Sequence, residues 1–460
     1  MRVSINNGLI ISCVFLLTLF TSSCKEENTS YRGNIVKIEG SKGNWKLSVN
    51  GKPFKLRGVG VGQAKGQNGK DDYLKMAKEM DANTVRTWGI SQGNREYLAT
   101  AHQYGLYVDA GIWLNQVFEN GTCSYLTDEK CKEEAKSQAI DYVKNNMNDP
   151  AILFWNIGNE TIYWTKDEKE RIGFCKFYEE LIREVRAIDP FHPVIYSSAY
   201  TTDMPYMKKY VPSLDILGIN AYGGLENAHR EIISSMDIPY IVTEYGPLGP
   251  WDRPKDVNGK PYEMTDASKT QYYKQYTKEI ESFEGYCLGG FVFFLGDTTQ
   301  VSFTWWNLNY GEFKKLSYLT MQSIYAGSEI KSHPPLVKNM ILSKKRNLKP
   351  GQEFEIRVEL EEGDQPKFKY YYFASTDKES SLEEYPNTEV SININGEGPV
   401  VKARAPEKPG IYRIYAVVMD PDHNTGTLSA TISVAEEKAQ SFDNKKADGI
   451  ADTLPEHSQK

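Results

Sequence analysis

Eight short apolar runs, each followed by a helical stretch, set the narrowest limit on what this chain can fold into. The runs are "LRGVGVG" from Leu56, "NTVRTWG" from Asn83, "LYVDAGIWL" from Leu106 and "AILFWNIGNE" from Ala151, then "PVIYSSA" from Pro193, "LDILGINAY" from Leu214, "PYIVTEYG" from Pro239 and "LGGFVFFLGD" from Leu288. Near-continuous apolar runs read as strands buried on both faces, the condition of parallel strands covered by helices. Between them "DYLKMAKEM", "REYLATAHQYG", "FYEELIREVRAID" and "TQYYKQYTKEIESF" place apolar residues three and four apart, the helical period. Eight such units closing on themselves make a (β/α)8 TIM barrel, with "LSYLTMQSIYAG" as its last helix. The 460 residues exceed the about 250 that a barrel needs, so a second domain is expected.

The pattern changes past Ser328. "EIKSHPPLVKNM" reads as a proline-marked linker, after which "EFEIRVEL", "KFKYYYFAS", "TEVSINI", "GIYRIYAVVMD" and "TLSATISVA" follow one another without helices. Their alternation, with turns at "NGEG" and "DPDHNTG", predicts a small antiparallel β-sandwich of immunoglobulin-like type. The expected domains are the barrel over 34–328 and the sandwich over 329–436. Residues 437–460 are polar and poor in aromatics and read as a disordered tail.

At the other end, Arg2, the apolar run Leu9 to Phe20 and "TSSC" follow the charged, hydrophobic, small-residue order of an export signal. The run is too short for a good membrane span. Residues 1–23 resemble a bacterial lipoprotein signal with Cys24 as the lipidated residue, although Thr21 stands where that pattern prefers Leu. "KEEN" resembles the acidic export tag of surface lipoproteins in Bacteroidetes-type bacteria, so residues 24–33 read as a surface tether. The expected location is the outer membrane, facing outward, with the lipid as the membrane contact. Cys13 and Cys24 belong to this region. Cys123 and Cys131 flank "CSYLTDEKC" and are near enough in sequence for a local disulfide, which the sequence leaves open. Cys175 and Cys287 read as buried free thiols.

Several partners are not expected. Formal net charge is -7 with lysines and arginines scattered, which lacks the basic footprint of nucleic-acid binding. No CxxC or HExxH spacing occurs and there are 6 His, so neither metal nor cofactor is expected. Oligomerisation has no sequence signal, and a monomer is the expectation.

Function enters through strand ends, which in this fold project into the active-site face. Glu160 ends the fourth run and Glu244 ends the seventh, each after apolar residues that would not normally deliver a charge. Two carboxylates at one mouth are the equipment for cleaving a glycosidic bond. From about Gly51 to Phe294 the chain resembles the clan of retaining glycoside hydrolases with catalytic glutamates on barrel strands four and seven. "AILFWNIGNE" is similar to its strand-four motif and "IVTEYG" to its strand-seven motif. "NGKPFKLRGVGVG", "ANTVRTWG", "HQYGLYVDAGIWL" and "LDILGINAY" are similar to strands one, two, three and six. The likeness is to the barrel of family 2 enzymes and, more loosely, to fungal β-1,3-glucanosyltransferases. A single barrel with an immunoglobulin-like appendage also resembles the endo-β-1,3-glucanases of glycoside hydrolase family 158.

The resemblance implies Glu244 as nucleophile and Glu160 as acid/base, with Arg86 holding Glu244 charged, Tyr222 donating to it and Asn159 binding the substrate 2-hydroxyl. The eighth run lacks the tryptophan that many clan members place there, and Trp305 or Trp306 in the next loop would fill in. Trp88, Trp113, Trp251, Trp305 and Trp306 fall after strand ends, where flat rings suit stacking on sugars; Trp155, inside a strand, reads as core. The expected function is a retaining endo-acting β-glycanase, with β-1,3-glucan first among substrates. A non-catalytic surface glycan-binding lipoprotein and a β-glucanosyltransferase are the alternatives. Because every site candidate precedes Ser328, the sandwich reads as dispensable for the chemistry, provided the barrel folds without it.

Overall fold

The computed structural model describes residues 33–117, 123–297, 301–329, 332–377 and 387–435. The expected signal, Cys24, the tether up to residue 32 and the tail from 437 lie outside the described residues. A small antiparallel sheet comes first, with β1 Val36–Glu39, β2 Lys46–Val49 and β3 Lys52–Pro53. Strands and helices then alternate through β4 Gly58–Gly60, α1 Tyr73–Glu79, β5 Thr84–Arg86, α2 Arg95–Gln103, β6 Tyr107–Ile112, α3 Glu129–Asn146, β7 Ile152–Asn159 and α4 Glu168–Ile188. The series continues with β8 Val194–Ala199, α5 Met204–Tyr210, β9 Ile216–Ala221, α6 Leu225–Ser235, β10 Tyr240–Tyr245, α7 Asp266–Ser282 and β11 Cys287–Val292. A two-stranded ribbon, β12 Asn309–Tyr310 with β13 Phe313–Lys314, precedes the last helix, α8 Leu316–Ala326.

Strands β4 to β11 close into a barrel in the order β10-β11-β4-β5-β6-β7-β8-β9, with every neighbouring pair parallel. These are the eight strands expected from the apolar runs, the first two shorter than their runs. Polar side chains start the helices as local chemistry requires: Asp72, Asn94, Asp128, Asp167 and Thr265 each accept from a backbone N–H of the first turn. The strands' outer faces and the helices share one continuous core. A second cluster fills the barrel's lower end, where Val36, Leu47 and Val49 of the N-terminal sheet pack with Leu153, Ile195, Ile216 and Ile241. The sheet plugs the barrel floor. At the other end the interior turns polar, with Arg86, Asp109, Asn156 and Ser197 all buried. Cys123 and Cys131 are bridged, with their Cα atoms 5.7 Å apart; Cys175 and Cys287 are buried and free.

The C-terminal strands are β14 Val337–Leu342, β15 Glu353–Leu360, β16 Lys369–Thr376, β17 Glu389–Val390, β18 Ile394–Asn395, β19 Val400–Arg404, β20 Gly410–Met419 and β21 Thr425–Val434. They form two four-stranded sheets, β14-β15-β19-β18 and β17-β16-β20-β21, all pairs antiparallel. Residues of both sheets, among them Ile356 and Val401 of the first and Ile414 and Ile432 of the second, share one apolar core.

Buried charges cross between these sheets and the barrel. Arg413 on β20 pairs with Asp377 at 2.8 Å and its Nη2 donates to Pro261 O at 3.2 Å. Lys260 meets the same Asp377 at 3.2 Å. Asp266, opening α7, accepts from the Thr427 N–H at 2.7 Å, and Ser429 donates to Glu263. Removing the sheets would take Asp377 away from the buried Lys260 and the Ser429 and Thr427 donors away from the buried Glu263 and Asp266, which would keep Lys269 and Lys315, and a buried charge left without its partner is costly.

Candidate active site

Two local irregularities bring the carboxylates to the mouth. At the end of β7 the register to β8 shifts between Asn156 and Asn159, Gly158 takes φ +83° and Glu160 takes φ +52°. The positive φ at Gly158, easy only without a Cβ, bends the strand, and pairing resumes at Asn159 opposite Ser197, whose carbonyl accepts from the Glu160 N–H at 2.8 Å. On β10 the register to β9 shifts between Val242 and Glu244. Both glutamates therefore sit where the pairing loosens.

Arg86, at the end of β5 and 1% exposed, organises the floor. Its Nη1 donates to Glu244 Oε1 at 2.6 Å and to Thr243 O at 3.1 Å, while Nη2 donates to Asn159 Oδ1 at 2.8 Å and Ser197 Oγ at 3.2 Å. Two more donors reach Glu244: Trp88 Nε1 to Oε1 at 2.7 Å and the Tyr222 hydroxyl to Oε2 at 2.6 Å. A cation and two further donors thus surround this one buried carboxylate. The second carboxylate meets a different environment. Glu160 Oε1 accepts from Asn220 Nδ2 at 2.8 Å, and burial, then the nearby Glu244 charge, push it up to about 8. Beneath them Asp109, fully buried, accepts from Asn156 Nδ2 at 2.8 Å and stands 3.7 Å from Arg86 Nε. Burial pushes it up to about 7 against the opposing pull of Arg86.

Arg86, Asn159, Glu160, Tyr222 and Glu244 come together as a single hydrogen-bonded group. Trp88 joins it in another role than a stacking face, since its indole N–H is spent on Glu244 and its ring meets Phe293 edge-on at 5.6 Å. The expectation of sugar-stacking faces at Trp305 and Trp306 is corrected: they are 0% and 2% exposed, and their indoles donate inward to Leu248 O and Pro247 O. Trp113 is half-buried after β6. Trp251 is 58% exposed, with its ring 6.1 Å from Tyr222, and Trp155 is core. Sequence reasoning missed Asn220, Ser197, Asn156 and Asp109. Each is a polar residue inside an apolar strand run, the same signal that singled out the glutamates. Among the described residues, no group of three or more His, Cys, Asp or Glu side chains could hold a metal ion.

A carboxylate pair at the C-terminal mouth of a closed (β/α)8 barrel is the site type of the glycoside hydrolases, and the chain belongs to that class by sequence. It is a member of glycosyl hydrolases family 2, whose TIM barrel domain matches residues 40–280. A β-galactosidase of Alteromonas mediterranea is 30% identical over 162 residues, which is 33% of this chain and 14% of that protein. A β-galactosidase of Pectobacterium atrosepticum is 25% identical over 228 residues, 45% of this chain and 20% of that protein. Among solved structures, a β-glucuronidase of Bacteroides uniformis aligns with a TM-score of 0.50 at 15% identity, over 87% of this chain and 48% of that one. A β-glucuronidase of Bifidobacterium dentium aligns with a TM-score of 0.50 at 18% identity, over 65% of this chain and 50% of that one. These two likenesses concern the fold. The chain spans a small fraction of the curated relatives' length and about half of the solved ones.

Proposed function

We propose that the protein is a retaining β-glycoside hydrolase that cuts within a polysaccharide, with Glu244 as nucleophile and Glu160 as acid/base. One observation carries the reading: Glu244 is surrounded by a guanidinium and two further donors, whereas Glu160, pushed up to about 8, stays protonated at neutral pH. Double displacement needs that division, one carboxylate ionised and the other protonated. Glu244 attacks the anomeric carbon while Glu160 gives its proton to the departing glycosidic oxygen, and a covalent glycosyl-enzyme forms. Glu160, now a carboxylate, takes a proton from water as that water attacks the anomeric carbon and releases Glu244. Asn159 has its Oδ1 occupied by Arg86 and Asn220, which leaves its Nδ2 to donate to the sugar 2-hydroxyl.

β-1,3-Glucan is the first substrate, from the likeness to family 158 endo-β-1,3-glucanases, with the C-terminal sheets read as an immunoglobulin-like sandwich over 329–436. Trp251 and Trp113 are the rings left to stack on sugar. The protein acts as a monomer tethered to the outer membrane through Cys24. The test is reducing-sugar release from β-1,3-glucan, β-1,4-mannan and β-1,4-galactan, with aryl β-galactoside and β-glucuronide beside them because relatives carry those names. Release of oligosaccharides from β-1,3-glucan, lost in both Glu160→Gln and Glu244→Gln, supports the reading. Binding of a glycan without cleavage of any substrate would replace it with the non-catalytic alternative.

A further inference from the structure

The loop between β11 and α8 runs from the catalytic mouth to the C-terminal sheets. At one end Trp306 belongs to the mouth: its ring lies 5.2 Å from Tyr222 and 5.7 Å from Phe293. The Tyr273 hydroxyl donates to its carbonyl at 2.9 Å, and Phe294 N–H does so at 3.2 Å. Tyr222 in turn donates to Glu244. At the other end Phe303 sits edge-on to Phe373 of β16 and Tyr415 of β20, 5.7 Å from each. Those two rings stack at 4.4 Å. The Phe303 N–H donates to the Tyr415 hydroxyl at 3.3 Å, and Asn387 Nδ2 donates to Val301 O at 2.9 Å.

Only Thr304 and Trp305 separate the two ends, and neither can slide. The Thr304 carbonyl accepts from Lys269 at 2.8 Å and Lys315 at 3.1 Å, while its hydroxyl donates to Glu263 at 2.8 Å. Glu263 and Asp266, which hold those two lysines, are themselves completed by Ser429 and Thr427 of β21. Trp305 has no exposed surface. A buried segment this short, held by hydrogen bonds at Thr304 and with Trp305 fully buried, transmits a shift at Phe303 to Trp306.

We propose that the C-terminal sheets are a positioning element of the catalytic site, in which Tyr415 and Phe303 fix the loop whose Trp306 sets Tyr222 against Glu244. The catalytic half of this statement rests on Glu244 being the nucleophile; the mechanical half does not. The test uses the full chain. Tyr415→Phe removes one hydroxyl and keeps the stacked ring, and Phe303→Ala removes the gripped ring. Amide hydrogen exchange is followed over 301–308 and 220–224, with kcat, KM and pH profile on 2,4-dinitrophenyl β-D-glucoside and β-D-galactoside. Both variants should show faster exchange at Trp306 and at Tyr222. Their kcat should fall about 10- to 100-fold, the range that ångström-scale misplacement costs, with KM changed less than about twofold. Exchange at Tyr222 and kcat both unchanged, or a change confined to thermal stability, would overturn the proposal. Glu244→Gln is measured beside them: wild-type kcat there would sink the nucleophile assignment alone, and faster exchange at Tyr222 in Tyr415→Phe would still uphold the mechanical link.

Discussion

Arg86 Nη1 stands 2.6 Å from Glu244 Oε1 with both side chains almost entirely out of water. A buried pair of this kind holds its charge only as a pair, and taking one member leaves the other costly, by about 3–5 kcal/mol. Arg86→Gln should therefore lower stability by that order in a denaturant titration and lower kcat/KM. Arg86→Lys keeps the charge but cannot reach Glu244 and Asn159 from two nitrogens, so it should fold and lose rate. An Arg86→Gln protein as stable and as active as wild type would remove Arg86 from the site.

Glu160 carries the pH dependence. With its carboxyl pushed up to about 8, the proton donor is present at neutral pH, and the rate should fall about tenfold per pH unit above about 8. The stability sign follows from the same shift. The folded state holds this proton more tightly than the unfolded chain does, so the contribution is fully present below the unfolded value near 4.5 and is lost as pH rises towards 8. Glu160→Gln should consequently gain stability relative to wild type between pH 5 and pH 9 in a series of melts, having little effect near about pH 4. A wild-type alkaline limb near about pH 5 would contradict this assignment.

Trp88 is tested by what its nitrogen does. Its N–H lies 2.7 Å from Glu244 Oε1, and hydrogen bonds to charged groups contribute about 1.5–3 kcal/mol. Trp88→Phe keeps a ring and loses the donor, so stability should fall by about 1.5–3 kcal/mol while kcat drops about 10- to 100-fold and KM changes little. A loss confined to KM would return Trp88 to the role of a sugar-stacking face.

The sequence made the barrel legible because parallel strands buried on both faces and amphipathic helices leave different periodicities, and these survive without knowledge of contacts. Glu160 and Glu244 were legible for the related reason that a charge at the end of an apolar run is anomalous. Trp305 and Trp306 were not. Their position after the last barrel strand suggested exposure, and their burial depends on Leu248, Pro247 and Tyr222, residues distant in sequence. The ionic junction of Glu263, Asp266, Lys269 and Lys315 was likewise hidden, since in the sequence these are ordinary surface-type residues on and beside two helices.

The membrane anchor is a separate matter and has its own test. "TSSC" followed by "KEEN" motivates lipidation at Cys24. Cys24→Ala should move the protein from the membrane fraction to the soluble one, and labelled fatty acid should no longer be incorporated. Retention of the variant in membranes would end the anchor idea.

The assignment of the two glutamates stands or falls on how they fail. Direct attack with retention requires the carboxyl groups to lie about 5–5.5 Å apart, whereas inversion requires about 6.5–9.5 Å to admit a water, so a crystal structure with a bound sugar decides the mechanism. Chemistry gives an independent answer. A dinitrophenyl glycoside needs little protonation of its leaving group, so Glu160→Gln should form the glycosyl-enzyme at near wild-type speed and then stall for want of a base. Azide, which needs no base, should restore turnover and yield the β-glycosyl azide, the product of two inversions at the anomeric carbon. Glu244→Gln has no nucleophile for the first displacement, and azide entering there should yield the α-azide after one inversion. Near wild-type cleavage of polysaccharide by Glu160→Gln, or the opposite pairing of azide products, would sink the assignment and leave the charged end of "AILFWNIGNE" with another role.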